Sequence, residues 1–112
     1  MIGGNVKAII QIKDSDKQNA IGEYQTVWKD NKCITGFLDL SSGDSKYLPN
    51  NAKVQESTHI FICDYVPLDD VTSENSRMII NNQLYDIMLI DDPMKLHQQL
   101  EIYLKYVGGQ NG

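Results

Sequence analysis

Two histidines, two cysteines, one arginine and several closely spaced aspartates are the side chains of this 112-residue chain that could do chemistry. His59 opens an apolar run and His97 precedes Gln98 and Gln99. Neither sits beside the serine or cysteine and carboxylate pattern of a known nucleophile motif. A zinc site would need Cys33, Cys63, His59 and His97 to converge, yet no C-x-x-C or H-x-x-x-H pairing anchors one. Asp14 and Asp16 have the spacing that opens a calcium loop, but the glycine and glutamate that complete it are missing. They read as a solvated loop. Asp69-Asp70 and Asp91-Asp92 fall at turns, where aspartate suits the backbone geometry. Gly3-Gly4 and Gly108-Gly109 sit at the ends and Gly43 lacks partners, so no phosphate-cradling loop is present. Arg77 opens an apolar hairpin, where a structural pairing with an acid such as Asp86 is expected. Nothing in this inventory calls for an enzyme, a cofactor or a metal.

Composition narrows the classes further. The length fits one domain with a modest core, and an apolar fraction of 41% with 22% charged residues is that of an ordinary globular chain. The formal charge is −5 with a single arginine, which argues against gripping nucleic acid by a basic face. No run has the length of a transmembrane helix, and residues 1–4 lack the basic-then-apolar layout of a signal peptide. Cys33 and Cys63 each lie inside an apolar run, so free, buried thiols in a cytoplasm are expected.

The elements that must position these residues are strands. Asn81-Asn82, a residue type that tolerates the left-handed turn of a hairpin, separates the apolar runs 78–80 and 84–90. Pro93 ends the second run. Upstream, residues 6–13 read as a first strand with Ala8, Ile10 and Ile12 on one face, and residues 14–19 as an exposed loop closed by Gly22. Residues 23–28 form a second strand, 29–32 a polar turn and 33–40 a third strand, in which Gly36 marks a bulge or sharp bend. Residues 58–65 make an apolar, central strand, and 66–75 an acidic link. The ends, 1–5 and 108–112, read as loose. Residues 95–107 carry two patterns. Leu96, Leu100, Tyr103, Leu104 and Val107 sit at helical spacing, while Leu100, Ile102, Leu104 and Tyr106 alternate as in a strand, and local physics slightly favours the helix. Five or six strands at short intervals predict an all-β fold, a small closed or partly open antiparallel β-barrel.

Residues 41–57 differ in kind. They have no sustained period, hold turn-forming residues, and offer Tyr47, Leu48 and Val54 without an evident core. A loop this long in a compact domain is either an ordinary insertion or a segment that orders against another chain.

Taken together, residues 36–43, 56–62, 77–80, 84–87 and 100–104 resemble the small head-closure proteins of long-tailed bacteriophages, also called stopper or head–tail joining proteins. The resemblance covers about residues 23–107 and rests on order and spacing, not on one diagnostic motif. It implies a β-barrel in which residues 98–107 are the last strand, and we adopt that reading against the local helical preference. It also implies a dodecameric ring in the virion neck, below the portal and adaptor rings, that gives the tail terminator or tail tube its docking surface. The isolated chain would be a monomer, made in the host bacterial cytoplasm, with no membrane partner. The loop 41–57 would point into the channel, with Lys46, Tyr47, Leu48, Pro49, Asn50, Asn51, Val54 and Gln55 as its contact residues. Asn50, Asn51 and Gln55 could join ladders between subunits, and Tyr47 and Leu48 could fill the aperture. An acidic component repels DNA, so retention of packaged DNA would be steric. The alternatives are a mainly helical adaptor, a tail terminator mixing a sheet with long helices, and a small-barrel binding module needing exposed aromatics among basic residues.

Overall fold

The computed structural model describes residues 6–18, 20–40 and 57–109. Six strands run β1 Val6–Gln18, β2 Tyr24–Leu40, β3 His59–Asp64, β4 Ser76–Ile80, β5 Gln83–Asp91 and β6 Gln99–Gly109, with a short 3-10 turn at Pro93–Lys95. Every neighbouring pair is antiparallel, and the order β1-β2-β3-β6-β5-β4 closes on itself as a small barrel. Closure leaves each strand a partner on both sides over its barrel portion, which removes exposed sheet edges there.

Alternation explains the interior. Ala8 and Ile10, Met78 and Ile80, Tyr85 and Ile87, Phe61 and Cys63, and Leu100, Ile102 and Leu104 are each two apart, and all are buried in one apolar cluster. Ile12 packs against the edge of that cluster, so the predicted Ala8–Ile10–Ile12 face is present. The hairpin 78–90 forms as its sequence predicts. Asn81 and Asn82 take φ of 51° and 62°, two successive left-handed residues, as the tight turn between right-twisted strands requires. At Asn82 a valine would pay the left-handed penalty of roughly 1–2 kcal/mol. Asn82→Val is therefore expected to lower the urea midpoint, and Asn82→Gly to leave it unchanged or raise it slightly.

Several boundaries differ from the sequence reading. Residues 14–18 are strand, not loop: β1 stays paired with β2 out to Gln18 opposite Tyr24. The polar residues of this arm extend a ladder already nucleated by the barrel, and a two-stranded arm needs no apolar alternation. Residues 29–32 are not a turn, and the two strands expected on either side are one continuous β2. Asp30 pairs with Gln11 and Lys32 with Ile10, which leaves Asn31 as an extra residue in a β-bulge. Turn-like composition thus bends a strand here instead of ending it. Gly108 and Gly109 belong to β6 and pair with Leu84 and Gln83 instead of opening a loose end; residues 1–5 and 110–112 lie outside the described residues. Cys33 is exposed on β2 because its neighbour Ile34 takes the inward position, while Cys63 is buried, and both thiols are free.

Residues 99–109 are strand, with Leu100, Ile102 and Leu104 buried between β3 and β5. The helical reading would have buried Leu96 and Val107, which are 56% and 53% exposed. Pro93 does end β5 and starts the 3-10 turn, as its missing N–H dictates.

Gly36 sits where β2 changes partner, opposite Val6 of β1 with the next residue, Phe37, opposite Ile62 of β3. A Cβ at this position would lie 2.4 Å from the Ile62 carbonyl oxygen and 2.8 Å from the Phe61 ring. Only glycine lets the two backbones approach this closely at the corner of the barrel.

Candidate functional site

The predicted contact residues Lys46, Tyr47, Leu48, Pro49, Asn50, Asn51, Val54 and Gln55 lie outside the described residues. What the structure places is their frame. β2 ends at Leu40 and β3 begins at His59, and these two residues are register partners. The intervening segment therefore leaves and returns at adjacent points on one end of the barrel.

The returning side is held by a polar and aromatic cluster. Thr58 donates its backbone N–H to the Leu104 carbonyl at 2.8 Å. Its hydroxyl accepts the Tyr106 N–H at 2.8 Å and meets His59 Nδ1 at 2.8 Å. The His59 ring packs edge-on to Tyr85 at 5.2 Å and tilted against Tyr106 at 6.3 Å, and the two tyrosines stack edge-to-face at 5.5 Å. Tyr106 donates its hydroxyl to Gln83 Oε1 at 2.7 Å. Burial, then the neighbouring Tyr106, raises the Tyr85 pKa. The Thr58 hydroxyl is thus committed to bracing the chain, and the cluster holds a strand start in place instead of presenting a nucleophile. Sequence reading missed this cluster, because the contact of His59 with Tyr85 and Tyr106 depends on strand register.

The opposite end holds the other polar groups. Arg77 donates Nε to Gln11 Oε1 at 2.8 Å, and Gln11 donates Nε2 to Asp30 at 2.8 Å. Asp86 is the register partner of Arg77 across the β4–β5 ladder, but the arginine spends its hydrogen bond on Gln11 and its face on Trp28. The expected pairing with that acid is therefore one of register and charge and not a direct ion pair. The guanidinium lies 4.3 Å from the centroid of the Trp28 ring, with the Lys13 ammonium 5.9 Å from the same ring. Partial burial lowers the Arg77 pKa, and Asp86 opposes that shift. A cleft of about 380 Å³ lies beside Trp28, lined by Glu74, Ser76, Asp86, Ile87 and Met88 among others. Arg77 already covers a face of the indole, so Trp28 is a poor platform for stacking a base.

His97 contacts Asp92 through both its backbone N–H, at 3.0 Å, and its ring Nδ1, and its ring stacks on Tyr65 at 4.5 Å. His59 belongs to the aromatic cluster of the loop-bearing end, Cys33 to the outer wall and Cys63 to the core. The four candidate zinc ligands therefore occupy separate places. Among the described residues, no three His, Cys, Asp or Glu side chains group as metal ligands, and no helix is long and apolar enough to cross a membrane.

The thiols give a direct check on the inward and outward faces. Burial, then the adjacent Asp64, pushes the Cys63 pKa from 9.0 up to about 11. A maleimide is therefore expected to label Cys33 rapidly in the native protein and Cys63 only after unfolding. Because the folded thiol holds its proton above the pH at which the unfolded one loses it, Cys63 contributes a loss of stability as pH rises from about 9 toward about 11. Cys63→Ala should flatten that part of the curve.

No protein-family model matches the chain, and no curated protein matches it.

Proposed function

We propose that this chain is a structural protein of the neck of a tailed bacteriophage, a head-closure protein that forms a ring below the portal and adaptor. The observation that carries this reading is the pairing of Leu40 with His59 on a closed all-β barrel. That geometry brings the two chain ends that flank residues 41–56 together at one end of the barrel. The Thr58–His59–Tyr106 cluster braces its root, which suits a segment that must bear load. In the ring, this segment points into the channel and helps to hold packaged DNA by blocking its path. The net charge of −5 is compatible with a steric stop and not with an electrostatic grip.

The strand at Gln99–Gly109 favours this reading over a tail terminator, whose long helix these residues would have had to supply. The small-barrel binding module is disfavoured by the arginine lying on the indole face. The test is deletion of the coding sequence from the phage that carries it. Head closure predicts filled heads that lose their DNA and fail to acquire tails. Normal numbers of tailed, infectious particles would overturn the proposal.

A further inference from the structure

The outer wall of a solvated barrel should be polar, and on two sides of this one it is not. With Ala8 and Ile10 of β1 and Met78 and Ile80 of β4 turned inward, alternation turns Ile9 and Ile79 outward. Register aligns Cys33, Ile9, Ile79 and Leu84 across β2, β1, β4 and β5. These are four apolar residues in one row outside the interior cluster: Cys33 is exposed, Ile9 and Leu84 are half-buried, and Ile79 between them is buried within the chain itself.

The other wall repeats the feature with different residues. Phe61 and Cys63 of β3 face inward, so Ile60 and Ile62 face outward. Ile62 pairs with Phe37, which is 45% exposed, and Ile60 with Tyr103, which pairs in turn with Leu89. Tyr103 is buried, so the open part of this surface is Phe37 with the half-buried Ile60, Ile62 and Leu89. In the strand order, β1 and β4 stand directly across the barrel from β6 and β3. The two apolar surfaces are thus centred on opposite walls.

Their rims differ in charge. Lys7, Lys13 and Arg77 flank the first, against Asp30 and Asp86. Asp39, Asp64, Asp91 and Glu101 flank the second, against Lys105. Asp91 and Glu101 stand opposite each other on adjacent strands, a like-charge pair that a cation from outside would relieve.

We infer that these surfaces are the two halves of one interface between copies of this chain, the β1–β4 wall of one copy seated against the β3–β6 wall of the next. The cationic rim then meets the acidic rim, and the two apolar rows cover each other. Because the halves differ and lie on opposite walls, the contact runs head-to-tail, which generates a closed ring or an open filament and not a two-fold dimer. The inference rests on the ring proposed above and names the walls that build it.

The experiment uses the full chain with Cys33→Ser, leaving the buried Cys63 in place, at high protein concentration, where a chain that is a monomer when dilute populates its ring contact. One variant carries Leu84→Cys and another Ile62→Cys, both half-buried outward positions, and a short bis-maleimide is the crosslinker; Ile60→Cys replaces Ile62→Cys if that variant does not fold. The expected result is a crosslinked dimer from the mixture and none from either variant alone. A chain carrying both cysteines is expected to give a ladder that stops at one closed size. A ladder that keeps lengthening with concentration supports this interface and overturns the ring. Crosslinking of either single variant with itself, or no product from the mixture, overturns the interface whatever the wild-type chain assembles into.

Discussion

Replacing Phe61 with alanine is expected to destabilise the fold by about 3–5 kcal/mol, read as a fall in the urea midpoint with an unchanged slope. Phe61 is 0% exposed and is, among the described residues, the largest side chain buried to that degree. It sits between Leu38 of β2 and Ile102 of β6 in the ladder, and its ring reaches the space beside Gly36. Truncation removes the ring from the centre of the cluster and leaves a void that a closed sheet cannot collapse around, because hydrogen bonds to β2 and β6 hold the backbone on both sides. A domain's net stability is only about 5–15 kcal/mol, so this change brings the chain close to unfolding. Phe37→Ala is the matched control. The same residue type on the outer face of β2 is 45% exposed, and its loss from the free monomer should cost no more than about 1 kcal/mol. Equal costs at the two positions would mean that the inward and outward faces are wrongly assigned.

Gly36→Ala is expected to cost about 1–3 kcal/mol or more, far above the usual effect of adding a methyl group to a strand. The added Cβ meets two obstacles of different kinds. The Phe61 ring, at 2.8 and 2.9 Å, could move, but the Ile62 carbonyl oxygen at 2.4 Å is backbone. Relief therefore requires β2 and β3 to separate where their pairing begins, at Phe37 opposite Ile62. Shrinking the ring with Phe61→Leu should not rescue the double variant. Hydrogen exchange should show lost protection concentrated at residues 37–40 and 59–62, the root of the long segment. Full rescue by Phe61→Leu would show that the ring, and not the backbone approach, is the reason for glycine.

Much of this architecture was legible in the sequence, and the exceptions have physical reasons. Ala8, Ile10 and Ile12, and the Asn81-Asn82 turn between two apolar runs, announce strands because alternation and left-handed turn chemistry are local. Gly36 announced a bend, and the close approach of Ile62 and Phe61 accounts for it. Asn31 reads as turn because a bulge and a turn draw on the same residues, and only the register with β1 separates them. Residues 14–18 read as loop because their sequence, Asp-Ser-Asp-Lys-Gln, is polar throughout and holds no hydrophobic period, while their strand rests on pairing with β2. Residues 95–107 fit two periods at once, and the strand won because β3 and β5 together leave room for one more partner that closes the ring. The aromatic cluster at His59 and the Trp28–Arg77 stack depend on which residues of separate strands face one another, which no single stretch of sequence specifies.

The proposed head-closure role places this chain in the neck of a virion. Electron cryomicroscopy of the neck of phage virions that carry an affinity tag on this chain tests that directly. The predicted result is a ring of small barrels between the portal–adaptor assembly and the tail, with the end that bears Leu40 and His59 turned toward the channel. Tagged protein found on the capsid lattice, at the distal end of the tail, or absent from the virion would contradict it.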